Sequence, residues 1–203
     1  KLAILFWFYK DIDICINRLE IIRKNNPNAK IHGLYGGSLE KESEFKSTLD
    51  KYLDSFWTSP STDPDWKWIH GDLVVLDWYK SFGINQDFDS LVIVQWDMLI
   101  FDSIENQFKN LQKDEIYLSG LRVLDEFTEK NWEWTDPKKE YRNDYDRFIN
   151  YVKEKYSYNN ENIPCCLFVL EVIPKKFFDK YLSVEDKELG MLEYKIPIYA
   201  EIF

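Results

Sequence analysis

The residues with chemical potential in this chain cluster at a few points. Three short clusters follow apolar runs: Tyr9-Lys10-Asp11, Tyr35-Gly36-Gly37 and Gln95-Trp96-Asp97. A carboxylate delivered by an apolar run, as Asp97 is, can hold a cation or cap the turn it sits in. Lys10 is long enough to reach a phosphate. Near the C-terminus Glu185, Asp186, Glu188 and Glu193 offer candidates for a general base that takes a proton from a hydroxyl. Trp132 and Trp134 lie in the polar stretch Lys130-Asn131-Trp132-Glu133-Trp134-Thr135, which predicts an exposed aromatic pair able to stack on a sugar ring. Several common chemistries are missing. His32 and His70 are the only imidazoles and no CxxC occurs, which argues against a structural zinc site. There is no GxGxxG and no GxxxxGK[ST], so the usual dinucleotide and P-loop phosphate cradles are absent.

These clusters need elements to hold them. Leu2–Tyr9 is continuously apolar and reads as a strand buried on both faces. Ile12, Cys15, Ile16, Leu19 and Ile22 recur at helical spacing, with Asp11 as N-cap and Asn26-Pro27-Asn28 as the stop. Ala29–Tyr35 is a second strand, so a parallel βαβ unit opens the chain. Phe45, Leu49, Tyr52, Leu53 and Phe56 predict a second helix, and Ser59–Asp65 a polar loop. A helix is expected over Ile69–Phe82, then a buried strand over Leu91–Trp96 that ends at Asp97. Ile116–Leu118 reads as a short strand, Tyr141–Tyr156 as a charged helix, Cys165–Val172 as a last strand, and Pro174 as the first turn of a helix running to about Leu182. Strands alternating with helices predict α/β architecture with a mainly parallel sheet, whose ligands bind beyond the carboxyl ends of its strands.

Composition sets the class. The chain has 203 residues, 45% hydrophobic and 17% aromatic, which suits one domain that needs no disulfide to close its core. A net charge of −10 with no long Lys/Arg cluster excludes a nucleic-acid partner. The same charge means that any anionic ligand must meet local positive charge from a cation, a few Lys/Arg or helix N-termini. Three cysteines, two of them adjacent, do not form a disulfide framework and predict a reducing, cytoplasmic setting. The longest apolar runs fall well short of the ~20 residues of a membrane span, and no signal peptide is visible. The abrupt start in a strand and the apolar end predict a domain cut from a longer protein.

The segment Leu91–Ile104 (LVIVQWDMLIFDSI) resembles the metal-binding segment of GT-A glycosyltransferases, in which a hydrophobic strand ends in Asp-x-Asp. Gln95 stands at the first acidic position and Asp97 at the second. The resemblance implies that Asp97 holds Mn2+ or Mg2+, which bridges the donor's phosphates and neutralises the leaving group. The opening strand–helix–strand matches the family's nucleotide-binding half, which places Tyr9, Asp11, Tyr35, Gly36, Gln95 and Trp96 around the donor. The Ile69–Phe82 helix, carrying Asp72 at its start, precedes the metal strand as in the family. Cys165–Leu182 resembles the strand and helix of the acceptor side. Glu193, four positions before Pro197, resembles an acid ahead of a Pro-initiated helix that faces the acceptor; it is the expected base, with Glu188 as alternative.

In size the chain is similar to small bacterial and large-virus glycosyltransferase domains. The resemblance implies one domain over 1–203, with about 1–104 binding the nucleotide and the remainder the acceptor. Its donor would be a UDP- or GDP-sugar and its acceptor a glycan or other hydroxyl, with Trp132 and Trp134 on the acceptor side. An inverting displacement is the simpler expectation. A non-catalytic GT-A-like module, favoured by Gln95, and a nucleotidyltransferase, which would want glycines around Lys10, are the rivals. A haloacid-dehalogenase reading fails because Asp97-Met98-Leu99 lacks the second Asp and the Thr of DxDxT.

Overall fold

The computed structural model describes residues 1–203. Its centre is a six-stranded sheet. Strand β1 (Leu2–Phe8) pairs in parallel with β2 (Ile31–Tyr35) on one side and with β4 (Ser90–Gln95) on the other; β2 pairs in parallel with β3 (Ser55–Thr58). Beyond β4 lie β8 (Leu170–Pro174), antiparallel to it, and β5 (Tyr117–Leu118), antiparallel to β8. One strand of six therefore runs against the rest. The expected mainly parallel α/β sheet is present.

Between β1 and β2 runs α1 (Ile12–Asn25). Asp11 caps it, accepting from Ile14 N at 3.2 Å from a left-handed backbone (φ 56°) that a short polar side chain tolerates. Asn26 ends it. Its side chain donates to Ile22 O at 3.0 Å and accepts from Ile104 N at 2.8 Å, which ties α1 to the start of α5 (Ile104–Gln107).

Four expected elements are redrawn. The second helix, α2 (Glu42–Leu49), stops short, and residues Ser55–Thr58 become the edge strand β3 instead. Asp54 sets that register. It accepts from Ile31 N at 2.9 Å, Lys30 at 2.8 Å and Arg23 at 3.1 Å. Burial pushes its carboxyl up, but these partners outweigh burial and hold it at about 2.

The helix expected over Ile69–Phe82 is two: α3 (Pro64–Ile69), capped by Asp63, and α4 (Gly71–Ser81), which meet at His70. A Cβ at Gly71 would stand 2.3 Å from the Trp7 ring, so glycine lets the chain pass close against β1 here.

The run Cys165–Val172 is not one strand. Pro164–Cys165 (β7) pairs with Arg122–Val123 (β6) in a separate ribbon, and β8 begins at Leu170. Between them the backbone is held by several segments: Cys166 N donates to Glu193 O at 2.8 Å, Leu167 N to Ser119 O at 2.8 Å, and Val169 O accepts from Gln95 N at 3.0 Å.

Finally, Pro197 lies inside α9 (Leu192–Ile202) and does not start it. Its missing N–H leaves the Glu193 carbonyl without the usual helical donor, and Cys166 N fills that place.

Residues of β1 alternate between two cores, as strand geometry requires. Ile4, Phe6 and Phe8 pack with α1 and α2. Ala3, Leu5 and Trp7 pack with α4, α7 (Arg142–Tyr156), α8 (Lys175–Tyr181) and α9. A short helix, α6 (Glu126–Asn131), flanks the second core. No helix is long and apolar enough to cross a membrane. The three cysteines are buried and unpaired.

Candidate active site

A cavity of about 430 Å³ opens beyond the carboxyl ends of β1, β2 and β4, where a sheet of this kind exposes its ligand edge. Trp7 and Tyr9 enter it from β1 and its exit, Gly36 from just past β2, and Gln95 from the end of β4. Lys67 and Trp68 come from α3, Phe168 and Val169 from the crossing segment before β8, and Met191, Leu192 and Glu193 from the start of α9. Segments nearly two hundred residues apart in sequence thus share one wall.

Four of the expected site residues meet here: Tyr9, Gly36, Gln95 and Glu193. Glu193 sits in the first turn of α9 and accepts from Phe168 N at 3.3 Å. Burial pushes its carboxyl above the ordinary range, against the pull of that N–H and of Arg122. Gln95 is pinned, its Nε2 donating to Phe168 O at 2.6 Å. Two lysines face the same space. Lys67 is 8% exposed and donates to Gly36 O at 2.6 Å; burial lowers its pKa, partly offset by Asp63. Lys10 stands at the rim, with its Nζ 5.5 Å from the Tyr9 ring centroid and 5.2 Å from that of Trp96.

Other expected donor-side residues lie elsewhere. Asp11 is committed to capping α1. Tyr35 is fully buried, its hydroxyl donating to Ser38 O at 2.9 Å. Trp96 is buried in the core beneath α1 and α2. All three shape the strand ends and do not line the cavity. Glu188 is exposed in the turn ahead of α9, also off the cavity.

The aromatic pair is corrected as well. Trp134 is 4% exposed, packed against Trp68 at 4.9 Å and Tyr141 at 4.7 Å, and Trp132 is half-buried against Tyr194. A polar neighbourhood in sequence hid this burial, because the charged neighbours point outward while the indoles turn in. The exposed aromatics in the cavity wall are Trp68, 62% exposed, and Tyr9.

The metal expected at Asp97 depends on the donors around that carboxylate. Asp97 is exposed on the turn after β4 and is not part of the cavity wall. Gln95 brings no charge, and its amide nitrogen is taken by Phe168 O. Asp102 is occupied by Ser103 N at 2.7 Å and by the Asn106 amide. No group of three or more His, Cys, Asp or Glu converges anywhere in the molecule. The protein alone does not cage a cation at Asp97, and a Mn2+ or Mg2+ ion there would take its remaining ligands from the donor's diphosphate and water.

No protein-family model matches the chain, and no curated protein matches it. Among solved structures it is similar to core-mannan synthase A from Aspergillus fumigatus in its Mn/GDP form. The TM-score is 0.55 at 12% identity, over 98% of this chain and 68% of that one. The chain has a GT-A-like fold. It also aligns with 4-diphosphocytidyl-2C-methyl-D-erythritol synthase from Anaerococcus prevotii, with TM-score 0.49 and 10% identity over 91% of this chain and 76% of that one. A third alignment is to the galactosyltransferase LgtC in complex with donor and acceptor sugar analogues, with TM-score 0.47 and 13% identity over 99% and 66%. At such identities the likeness is one of fold, and the GT-A-like assignment rests on the mannan synthase. Function has to be argued from the site.

Lys67, Trp68 and Trp7 were missed by sequence reasoning. Lys67 and Trp68 fall just past a stretch read as loop. The Asp63-Pro64 pair, an N-cap followed by Pro at the first helical position, was the signal that a helix starts there. Trp7 reads as core because it sits within an apolar strand, and its place in the cavity wall has no sequence signal.

Proposed function

We propose that the chain transfers a sugar from a nucleotide-sugar, a UDP- or GDP-sugar, to an acceptor hydroxyl in this cavity. The observation that carries the reading is one wall, at the ligand edge of a GT-A-like sheet, that combines a carboxyl raised by burial with two lysines. The parts suit the two ends of such a reaction. Lys10 and Lys67 face an anionic leaving group, and Tyr9, Gly36 and Gln95 border the donor. Glu193 takes the proton of the acceptor hydroxyl as its oxygen bonds to the anomeric carbon. The bond from that carbon to the nucleoside diphosphate breaks, and the diphosphate leaves with the electron pair. A single displacement of this kind inverts the anomeric centre. The whole chain, 1–203, works as one domain in this reading, with about 1–104 on the donor side. Three buried, unpaired cysteines fit a reducing compartment such as the cytoplasm.

Only the ionised form of Glu193 is a base, and burial raises its pKa. Activity therefore rises as pH climbs through that raised value. The test is nucleotide release from a panel of UDP- and GDP-sugars with sugar acceptors. Glu193→Gln should lower release by ~10²–10⁴-fold and abolish the pH rise, with nucleotide binding kept. Wild-type release by this variant would remove Glu193 as the base. Nucleotide binding without release from any donor–acceptor pair would identify a binding module.

A further inference from the structure

We infer that the chain holds the donor's diphosphate with its own groups, the ammonium ions of Lys67 and Lys10 and the indole N–H of Trp7, and so binds a nucleoside diphosphate without a divalent cation. The inference rests on reading the cavity as a nucleotide-sugar site.

Lys67 is the first argument. It is 8% exposed, yet it enters none of the molecule's ion pairs, although the chain carries 36 acidic residues. One of its three donors meets Gly36 O, which leaves two for a ligand. Burying a charge without a counter-ion is costly. The contrast is Lys195, which is fully buried and has Asp72 at 2.8 Å. Lys67 faces the cavity instead, so an anion there would complete it.

Trp7 is the second, independent argument. It lines the same cavity, is 6% exposed, and its Nε1–H has no hydrogen-bond partner. An indole N–H can only donate, so it too calls for an acceptor. Gly36 lies directly beside that donor. A Cβ at this position would stand 3.0 Å from Trp7 Nε1, and any longer side chain would crowd the space beside it. Lys10 adds a second charge at the rim, its position steadied by Tyr9 and Trp96. Lysine serves phosphate as a point charge that needs no fixed fork geometry. Against these donors the wall carries one carboxylate, Glu193.

The experiment is calorimetric titration of the whole chain with UDP and with GDP, in EDTA and in MnCl2. Affinity should agree within about threefold between the two buffers, a difference of under ~0.7 kcal/mol. Lys67→Met should weaken binding at least ~10-fold without lowering the melting temperature, because it removes an unpaired buried charge and keeps the apolar stem. Lys67→Arg should retain more affinity than Lys67→Met. Lys10→Gln, a change at an exposed rim residue, should weaken binding several-fold and leave melting unchanged. A lysine that merely held the Gly36 carbonyl would show the reverse pattern, with lower melting and intact binding, and this would overturn the inference. Binding that appears only with manganese would also overturn it and leave the proposed function standing. Absence of binding by either nucleotide in either buffer would overturn both.

Discussion

On one face of the central sheet, α1 and α2 cover Ile4, Phe6, Phe8, Val92 and Val94 with side chains that are almost all apolar. On the other face, α4 and α7–α9 cover Ala3, Leu5, Trp7 and Ile93 and bring charge inside. There Lys195 donates to Asp72 at 2.8 Å and to Lys187 O at 2.8 Å, and the Tyr181 hydroxyl donates to the same Asp72 oxygen. Tyr79 donates to Asp179 at 2.5 Å, and Glu171 is fully buried. The first face is assembled largely from neighbours in sequence, through a βαβ unit. The second joins residues about a hundred positions apart. The cavity opens at the edge of this second face, where Trp7, Met191 and Leu192 belong to its core. An apolar core is satisfied by volume alone. A core with buried charges also demands partners, and that demand fixes where α9, and with it Glu193, must sit.

If this contrast is right, the largest effect should come from Lys195. Lys195→Met leaves Asp72 buried without its ammonium and should cost ~3–5 kcal/mol, read from urea unfolding. Adding Asp72→Leu should recover most of that loss. A single variant within ~1 kcal/mol of wild type would mean that the pair sets nothing and that the two faces obey one rule.

A second, smaller effect sharpens the contrast through pH. Burial raises Glu171 well above the usual carboxylate range, against bonds from Leu170 N, Val169 N and the Ser119 hydroxyl. Above about 4.5 the unfolded chain releases this proton while the folded chain keeps it. Stability therefore falls as pH rises, by ~1.4 kcal/mol per unit for this one group, until its folded pKa is reached. Glu171→Gln should flatten that part of the profile. An unchanged slope would show that Glu171 ionises freely.

The smallest effect belongs to the apolar face. Ile22→Val should cost ~1 kcal/mol, and the loss should be the same at pH 5 and pH 8 because no titrating group is disturbed. A pH-dependent loss there would erase the distinction between the faces.

The first face was legible in the sequence because its signals are local. The apolar run of β1, the spacing of Cys15, Leu19 and Ile22, the Asp11 cap and the Asn26 stop each act within a few residues. The same logic failed where a competing partner lay far away. Asp54 binding Ile31 N turned the end of an expected helix into β3. The close pass of Trp7 over Gly71 split an expected helix at His70. Cys166 N, by taking the Glu193 carbonyl, allowed Pro197 into the middle of α9. The site divides in the same way. Tyr9, Gly36 and Gln95 were legible as residues at strand ends, and Glu193 through the family resemblance. Lys67 and Trp7 were not, because their place in the cavity wall depends on segments distant in sequence.

The α/β class, the mainly parallel sheet, its ligand edge, and a balance of charge that obliges any anion site to find its own positive groups could all be read from residue order. Those are consequences of residue type and short-range spacing. That Lys10, Lys67 and Glu193 line one cavity while Asp97 stands outside its wall came from the packing of distant segments. Burial and partner distance control charge and reactivity, and both are set by segments that meet across most of the chain's length.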